Sequence, residues 1–541
     1  MFRMIFFTDN KLNLQVVFVT IISVVSGIAK SLIPLIISKA AEELINKGDV
    51  PFKYLPYFLA ALGILIISKW VALRKTIEIV ERSLEKYRNK IGNQLRQSEL
   101  ILIENLDKGE IYTKITIDTR KVSRVSQSGI LVIQSLVTVI CILGYIFQVS
   151  AIAGFFYIIL AFLGFLNYKF HQRPLCKTIL KAAQKETEVF DDFGHVLDGF
   201  KELKITREKN SDLFHNCLKP LLHEAKELRS MVGEQYIKIS IFSFTLLFYA
   251  SVAMVTFLLP SDMAVSLKFE VFAMSTFLWA PISLMSVMIP ELFQAGASAE
   301  RLYQLERQLE SIPDPDEYIS RNQTGRFHDF MELQIKDICF DYTDKDGNQT
   351  FSLGPASLTL KAGEILFFVG GNGSGKSTLM KMITGLYPPL SGAFLVNGLE
   401  VRMTDHRYLF SAVYTDCRLF DGLYGTDNID DEKVYELLRT MGLVQKVSWQ
   451  DRHFHHSGLS TGQGKRLAMI TALLEDKPIY VFDEWTSEQD PEFRISFYEE
   501  LLPELKSKGK TIIAATHDDR YFHIADRVVE MQYGLLKNQH A

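Results

Sequence analysis

The chain has 541 residues, more than one compact core of about 100–200 residues accommodates, so we expect at least two folded units. Its formal net charge of −4 is close to neutral, and no basic stripe interleaved with aromatic residues is present, which excludes the electrostatic footprint of a nucleic-acid-binding protein. The mean hydropathy is positive although 23% of the residues are charged, so the apolar residues must be concentrated in one part of the chain.

Six apolar stretches in the first half of the chain indicate membrane-spanning helices. They cover residues 14–37, 54–70, 130–149, 151–166, 239–259 and 271–289. The first is long enough as a helix to cross the roughly 30 Å hydrocarbon layer of a bilayer. It is also too long for the core of a signal peptide, and no cleavage site of the Ala-x-Ala kind follows, so we expect it to stay in the protein.

The connections between these stretches alternate between short turns and long segments rich in Lys and Arg. Because an excess of Lys and Arg marks cytoplasmic loops, both termini and the long segments are predicted to be cytoplasmic. Residues 71–95 continue the second span at helical spacing, so this helix is expected to extend out of the membrane as an arm. Lys30 lies deep in the first span and is expected to face either a cavity or another helix, because a charge is costly in lipid.

A change of pattern after the sixth span marks the boundary of a second domain. The segment Ile312-Pro313-Asp314-Pro315-Asp316 has the composition of a linker, and strand-like alternation begins soon after it. We therefore predict a transmembrane domain over residues 1–311, a linker over 312–325 and a cytoplasmic domain over 326–541.

The cytoplasmic domain carries a phosphate-binding loop in its required context between a buried strand and a helix. The apolar run 364–369 leads into a turn formed by Gly370, Gly371, Asn372, Gly373, Ser374, Gly375, Lys376, Ser377 and Thr378. Glycines permit positive φ angles, and the backbone amides at the helix N-terminus face phosphates. Lys376 would neutralise the β- and γ-phosphate charge, and Ser377 would ligate Mg²⁺, so the sequence predicts a site for ATP and Mg²⁺.

A second apolar run, residues 479–482, ends in the acidic pair Asp483 and Glu484. At the edge of the same sheet, Asp483 would bind Mg²⁺ and Glu484 would polarise the attacking water. Two carboxylates at the end of a strand are common in isolation, and the phosphate-binding loop is what favours the catalytic interpretation.

Between these motifs stands Leu459-Ser460-Thr461-Gly462-Gln463, where the chain resembles the ATP-binding cassette (ABC) transporter family, whose signature is typically Leu-Ser-Gly-Gly-Gln. Taken alone, Ser460 could simply cap a helix. The resemblance implies that these residues contact the γ-phosphate bound by a second subunit. It further implies roles for the inter-subunit loop that ends at Asp490, for the switch histidine His517 and for Tyr342, which would stack on adenine or belong to the core.

One departure from the family concerns the glutamine that usually precedes the helical subdomain. Thr415 stands in its register with Asp416 next, and Asp416 is the candidate to replace it at Mg²⁺. The three histidines His453, His455 and His456 lack evident carboxylate or thiol support, so a solvated loop is favoured over a metal site.

Six spans followed by one cassette resemble an ABC exporter half-transporter. This implies a multidomain fold, with an all-α six-helix transmembrane domain of the type IV exporter kind and an α/β P-loop nucleotide-binding domain. Residues 196–204, 370–373, 410–420, 483–485 and 517–519 are similar to the cyclic-peptide and siderophore exporter branch.

That branch implies an ATPase in the bacterial inner membrane that works as a homodimer among membrane lipids. It would export a constrained peptide or peptide siderophore, with an outer-membrane exit protein as a further partner. A lipid or amphiphile flippase, and an ATP-gated channel or regulatory module, are the alternative functions.

Overall fold

The computed structural model describes residues 7–8, 11–12, 14–47, 52–105, 108–260, 263–310, 329–343, 348–425 and 429–540. The chain divides into two compact units. The helical unit comprises residues 1–96 and 107–311, and the cassette unit comprises residues 97–106 and 312–541. The predicted linker 312–325 lies outside the described residues.

The helical unit is built from long helices joined by short ones. In chain order the helices before residue 311 are α1 (Leu14–Lys47), α2 (Leu55–Gln97), α3 (Leu100–Asn105), α4 (Lys108–Thr113), α5 (Thr119–Val149), α6 (Ala151–Asp198), α7 (Phe200–Ile205), α8 (Arg207–Asp212), α9 (Lys219–Ala253) and α10 (Val265–Glu310). Of these, α3 belongs to the cassette unit. Single π-helical turns at Lys114–Asp118, Leu213–Leu218 and Met254–Leu258 continue α4, α8 and α9. A short hairpin, β1 (Phe7–Thr8) and β2 (Lys11–Leu12), precedes them.

Each of the six predicted apolar stretches lies mostly or entirely in one of the helices α1, α2, α5, α6, α9 and α10, and the fifth stretch continues from α9 through the π-helical turn Met254–Leu258. Among the described residues, four segments are long and apolar enough to cross a membrane: Leu14–Leu44, Phe52–Gln97, Ile111–Val149 and Val265–Met288. Helices α6 and α9 contribute the shorter apolar segments Ala151–Gly164 and Tyr249–Leu258. Large apolar side chains such as Phe18, Ile66 and Phe162 are more than half exposed, as expected of a surface that faces lipid.

Small and polar residues lie where α1 and α5 pack together. A Cβ atom on Gly27 would lie 2.7 Å from the Cβ of Val137, so only glycine permits this approach of the two helices. Beside it, the amide of Gln134 donates to the Ser26 hydroxyl at 2.9 Å, and both side chains are buried. Gln134, a costly residue in lipid, is therefore satisfied at a helix–helix interface.

The cassette unit contains a six-stranded sheet and a four-stranded sheet. Its strands are β3 (Glu332–Thr343), β4 (Gln349–Lys361), β5 (Ile365–Val369), β6 (Ser391–Val396), β7 (Leu399–Val401), β8 (Phe410–Val413), β9 (Val447–Gln450), β10 (His453–His456), β11 (Ile479–Asp483), β12 (Thr511–Ala515), β13 (Arg527–Gln532) and β14 (Leu535–His540). The order in the larger sheet is β14-β13-β5-β12-β11-β8, and that in the smaller is β4-β3-β6-β7.

The larger sheet determines where the predicted nucleotide-binding motifs meet. All of its neighbouring pairs are parallel except β13 with β14, and β12 lies between β5 and β11. Strands β5, β11 and β12 are almost entirely buried apolar runs, as expected of a parallel sheet covered on both faces. Since ligands bind at the carboxyl ends of such strands, the loops after β5, β11 and β12 converge on one edge.

The cassette helices are α11 (Lys376–Ile383), α12 (Asp431–Thr440), α13 (Thr461–Glu475), α14 (Pro491–Ile495) and α15 (Leu502–Ser507). Of the three histidines, all lie on β10 of the β9–β10 hairpin, so the predicted loop is wrong, and their side chains are exposed. In the described part of the chain, no group of three or more His, Cys, Asp or Glu residues could hold a metal ion.

Candidate nucleotide-binding site

The loop after β5 adopts the backbone conformation that the glycine pattern predicts. Gly370, Gly373 and Gly375 have φ angles of 143°, 75° and 105°, which strongly disfavour residues with a Cβ. At Gly370 a Cβ atom would also lie 2.1 Å from the carbonyl oxygen of Met531 on β13. Gly375 is the N-cap of α11, so the loop delivers the backbone amides of a helix N-terminus to the sheet edge.

Two side chains of the loop have polar groups that could bind a phosphate. Lys376 is buried, and its ammonium donates to the carbonyl oxygens of Gly370 at 3.0 Å and Gly371 at 3.2 Å. The hydroxyl of Ser374 is buried and has no hydrogen-bond partner within the described protein. Because an unsatisfied buried hydroxyl is costly, its place within the loop fits a phosphate oxygen as the missing partner.

The residues predicted to hold Mg²⁺ meet at the end of β11. The Ser377 hydroxyl donates to Asp483 Oδ1 at 3.0 Å. Burial raises the pKa of Asp483, and the nearby Glu484 carboxylate raises it further, whereas the Ser377 hydrogen bond opposes them. A hydroxyl and a desolvated carboxylate form a hard oxygen donor set, which suits Mg²⁺.

Glu484 and His517 are brought together from two neighbouring strands. His517 Nε2 lies 3.0 Å from Glu484 Oε1, and Lys376 Nζ lies 3.5 Å from the same oxygen. Glu484 has a φ angle of 47°, a left-handed conformation that costs free energy for a residue with a Cβ. The turn places its carboxylate next to Lys376, so a carboxylate and an imidazole stand beside the buried ammonium of the loop.

The signature-like segment forms the N-terminus of α13. Ser460 is its N-cap, and a capping box joins Ser460 and Gln463 in both directions, at 3.3 and 3.1 Å. Ser460 and Thr461 are exposed, so the positive end of a 15-residue helix is presented outward. The capping interpretation of Ser460 is thus confirmed, and it leaves this helix end accessible to an anion.

The loop after β11 clamps the first turn of α13 through Asp490, which the sequence analysis named, and through contacts of Gln489, Arg466 and Trp485, to which it gave no role. The buried amide of Gln489 donates to the Gly462 carbonyl at 3.0 Å and accepts from Arg466 Nε at 2.8 Å. Arg466 also pairs with Asp490 at 2.5 Å, and the indole of Trp485 donates to the Lys465 carbonyl at 3.0 Å.

Asp490 has two roles in this clamp. Its carboxylate caps α14 by accepting from the Phe493 amide at 2.9 Å, and this bond, helped by Arg466, lowers the pKa of Asp490. The predicted loop end at Asp490 is therefore a fixed point beside the signature-like turn.

Tyr342, the candidate for stacking on adenine, lies beside the end of the loop after β5. It is a half-buried residue of β3 that packs against the hydrophobic core, and its hydroxyl lies 3.5 Å from Thr378 Oγ1.

Thr415 and Asp416, at the position of the family's glutamine, differ in their contacts. The Thr415 hydroxyl donates to the backbone carbonyl of Asp483 at 3.1 Å, whereas Asp416 is exposed. Of the two candidates for the family's glutamine position, Thr415 is the one in contact with the acidic strand.

Comparisons with known proteins match both units. Residues 353–487 match the family model described as ABC transporter, and residues 16–197 match the model described as ABC transporter transmembrane region. The ATP-binding protein SyrD of Pseudomonas syringae pv. syringae is 40% identical over 272 residues, 48% of each chain. The macrolide export ATP-binding/permease protein MacB of Escherichia coli K12 is 31% identical over 217 residues, 37% of this chain and 33% of MacB.

The chain therefore spans about half of the length of SyrD and a third of that of MacB. A solved structure described as a bacterial Atm1-family ABC exporter with ATP bound aligns with a TM-score of 0.78. The alignment covers 97% of this chain and 95% of the other. Because the sequence identity is only 16%, the alignment shows that the two chains share a fold and nothing more. It confirms the predicted architecture, a helical transmembrane domain with an α/β P-loop domain.

Proposed function

Because this chain belongs to the ABC transporter family and carries a transmembrane region and an ATP-binding cassette in one polypeptide, we propose that it is an ATP-hydrolysing exporter. The observation that carries the proposal is the pairing of Ser377 with Asp483 at 3.0 Å, beside Lys376 and the unpartnered hydroxyl of Ser374. Together they provide an oxygen donor pair, a cation and a hydroxyl for Mg²⁺ and the phosphates of ATP.

Each residue of the site has a distinct part in hydrolysis. Lys376 and the amides of residues 370–378 bind and neutralise the phosphates, with Tyr342 stacking on adenine. Ser377 and Asp483 would hold Mg²⁺, which would neutralise phosphate charge when bound. Glu484 orients the attacking water and accepts its proton, and His517, 3.0 Å away, orients Glu484 and the γ-phosphate. Asp416 stays a weaker candidate for sensing the metal because its side chain is exposed.

A second copy of the chain would complete each site. The N-terminus of α13, with Ser460, Thr461, Gly462 and Gln463, would contact the γ-phosphate bound by the partner subunit. Its exposed residues and the clamp from Gln489 support this assignment, because a positioned helix end is a ready anion site.

The substrate proposed is a peptide. The finer form of this proposal is a constrained peptide or peptide siderophore, because the sequence resembles the cyclic-peptide and siderophore exporter branch and is similar to YojI, a bacterial inner-membrane exporter of that branch. The apolar helices support residence in a membrane, proposed here to be the bacterial inner membrane. The Lys- and Arg-rich connections between them support a cytoplasmic position for both termini and the cassette. Membrane lipids surround the helices, and an outer-membrane exit protein would receive the cargo.

The catalytic assignment is tested by Glu484→Gln in the full chain reconstituted in lipid nanodiscs. We expect at least a 100-fold loss of steady ATP hydrolysis with retained ATP binding, because the variant keeps the phosphate loop but loses the proton acceptor. Glu492→Gln, an exposed carboxylate in the first turn of α14, is the matched control. Near-normal hydrolysis by Glu484→Gln would refute the assigned role.

The cargo is tested separately. Cyclic peptides, peptide siderophores and lipids are compared as stimulators of ATP hydrolysis, and the stimulating class is then followed into inverted vesicles. Peptide stimulation with ATP-dependent uptake supports peptide export, stimulation by lipids alone indicates a flippase, and passive flux opened by ATP indicates a channel.

A further inference from the structure

A buried carboxylate, Glu270, lies in one of the segments that are long and apolar enough to cross a membrane, Val265–Met288 of α10. Only 3% of its surface is exposed. The hydroxyl of Tyr145 on α5 donates a hydrogen bond to one of its oxygens. Ionisable side chains are costly inside a bilayer and usually mark binding or transport, so this residue requires a role that ATP hydrolysis in the cassette does not supply.

A second carboxylate, Glu42 on α1, lies near the same phenol. Glu42 and Glu270 both interact electrostatically with Tyr145, whose one hydroxyl hydrogen is donated to Glu270. The neighbouring Glu43 pairs with Lys53 at 2.6 Å, whereas no ion pair between described residues includes Glu42 or Glu270. Two carboxylates near one phenol are therefore without a basic partner in the part of the chain that the structure describes.

An apolar cluster borders these polar groups. Ile142 and Ile146 of α5 and Val271 and Met274 of α10 belong to it, and the ring of Tyr145 packs against it. A ligand held by the carboxylates would therefore have an apolar surface beside it. Pockets of this kind, apolar with a few convergent polar groups, suit amphiphilic ligands.

An unsatisfied hydroxyl lies one helical turn from Glu42. Ser38 is 5% exposed, and its Oγ has no hydrogen-bond partner within the described protein. Because residues four positions apart are neighbours on one face of a helix, Ser38 and Glu42 share a face of α1. Leu35, three positions before Ser38, lies on that face as well and packs against the apolar cluster. The unsatisfied hydroxyl is thus on the side of α1 that faces the phenol and its two carboxylates.

The available groups select among cations. Ca²⁺ takes roughly six to eight oxygen ligands, whereas no group of three or more His, Cys, Asp or Glu residues in the described ranges could hold a metal ion. An ammonium group has three donors and no acceptor, which suits two carboxylates and a hydroxyl. The half-buried ring of Tyr145 adds an aromatic face that attracts an ammonium or guanidinium group. The chemistry therefore favours an organic cation over a metal ion.

We propose that Glu270, Glu42 and Tyr145 form a cargo-binding subsite for a cationic group, so that the exported peptide carries an ammonium or guanidinium group beside apolar side chains. The subsite rests on the proposed function, since it requires that the chain transports a peptide. It narrows the cargo from peptides in general to cationic, amphiphilic peptides. Because α1 carries one carboxylate and α10 the other, the bound cation joins the two helices, and their separation releases it.

The test compares cyclic peptides that carry one lysine among apolar residues with their Nε-acetyl-lysine counterparts, on the full chain in lipid nanodiscs. ATP hydrolysis is measured against peptide concentration, and the half-maximal concentration reports cargo binding. For the unmodified chain, acetylation should raise this concentration about tenfold or more, because it removes the charge of the ammonium group. Glu270→Gln keeps the size of the side chain and an acceptor for the Tyr145 hydroxyl, but it should bring the two peptide forms within about twofold of each other.

Glu42→Gln is an independent variant that carries the test if Glu270→Gln does not fold, and it should reduce the discrimination about threefold or more. Glu291→Gln is the matched control. Its carboxylate lies on the same helix and also bonds to α5, 3.5 Å from the Ser128 hydroxyl, but beyond the apolar segment Val265–Met288. It should leave the discrimination unchanged. A structural role alone would alter the half-maximal concentrations of both peptide forms equally, so the ratio of the two is the readout.

Equal stimulation of the unmodified chain by both peptide forms, or discrimination that survives Glu270→Gln and Glu42→Gln, refutes the subsite although the exporter proposal stands. If Glu270→Gln instead removes a dependence of ATP hydrolysis on Na⁺ or Ca²⁺ and leaves peptide discrimination intact, the carboxylates hold an inorganic cation and the cargo assignment is wrong. Hydrolysis that no peptide stimulates would overturn the peptide cargo and the subsite together. An unmodified chain that hydrolyses no ATP would refute the proposed function itself.

Discussion

Two glycines in the first turns of α13 provide a matched pair for testing the signature-like segment. A Cβ atom on Gly462 would lie 2.6 Å from the carbonyl oxygen of Glu488, in the loop that clamps the helix. A Cβ atom on Gly464 would meet Leu419 Cδ1 at 3.4 Å, which is ordinary van der Waals contact. The same Gly→Ala change two residues apart therefore separates steric conflict from helix propensity.

The magnitudes follow from these contacts. Alanine in place of glycine favours a helix interior by about 0.8–1.0 kcal/mol, somewhat less in the first turn. Overpacking against a backbone atom costs about 1–3 kcal/mol. Gly464→Ala should therefore raise the melting temperature of the cassette by up to about 2–4 °C, whereas Gly462→Ala should be destabilising by about 0–2 kcal/mol.

The effects on hydrolysis should diverge more strongly than those on stability. Gly462→Ala displaces the helix end that would contact the γ-phosphate in the partner subunit, and loss of one positioned donor typically costs about 100–1,000-fold in rate. We expect a loss in that range for Gly462→Ala and less than a threefold change for Gly464→Ala, measured as ATP hydrolysis in nanodiscs at saturating ATP. Equal rates for the two variants would refute the role given to this turn.

Two further predictions concern the clamp and the buried carboxylate. Gln489→Leu removes hydrogen bonds to Arg466 and Gly462, so the N-terminus of α13 should be less firmly positioned. We expect the rate of ATP hydrolysis to fall about tenfold while the affinity for ATP stays within threefold. Unchanged hydrolysis would contradict the clamp. Asp483→Asn should abolish Mg²⁺-dependent hydrolysis but raise nucleotide-free stability at pH 7 by about 0.5–2 kcal/mol. Because burial raises the pKa of Asp483, its charged form costs stability above that raised pKa, and the cost disappears as the pH falls below the ordinary value of 3.8. Thermal melts from pH 7 toward pH 4 should therefore show a shrinking advantage of the Asn variant, and a constant or growing advantage would contradict this assignment.

The phosphate-binding loop was predictable from sequence because its chemistry is local. A buried strand, positive-φ glycines and a helix start occupy consecutive residues, so Lys376 and Ser377 need no distant information. Asp483 and Glu484 were assigned to the same edge because they end a buried strand, and His517 was assigned through the family resemblance. Their contacts confirm that they meet.

The remaining contacts depend on tertiary packing that no local pattern encodes. For example, the Tyr387 hydroxyl donates a hydrogen bond to Glu104, although the two residues are 283 positions apart and each belongs to a segment without a motif of its own. Gln489 and Trp485 stand in a loop where sequence indicates only a family resemblance, and their bonds to α13 emerge from the fold. The same limit applied to Thr415 and Asp416, because register alone does not say which side chain turns toward β11.

ATP hydrolysis by the purified full chain in lipid, measured with and without Mg²⁺ and alongside Lys376→Ala, tests the central claim most directly. The account predicts Mg²⁺-dependent turnover that Lys376→Ala abolishes, because the buried ammonium is the cation proposed to bind the β- and γ-phosphates. Turnover that survives Lys376→Ala, or a folded parent protein that neither binds nor cleaves ATP, would contradict it.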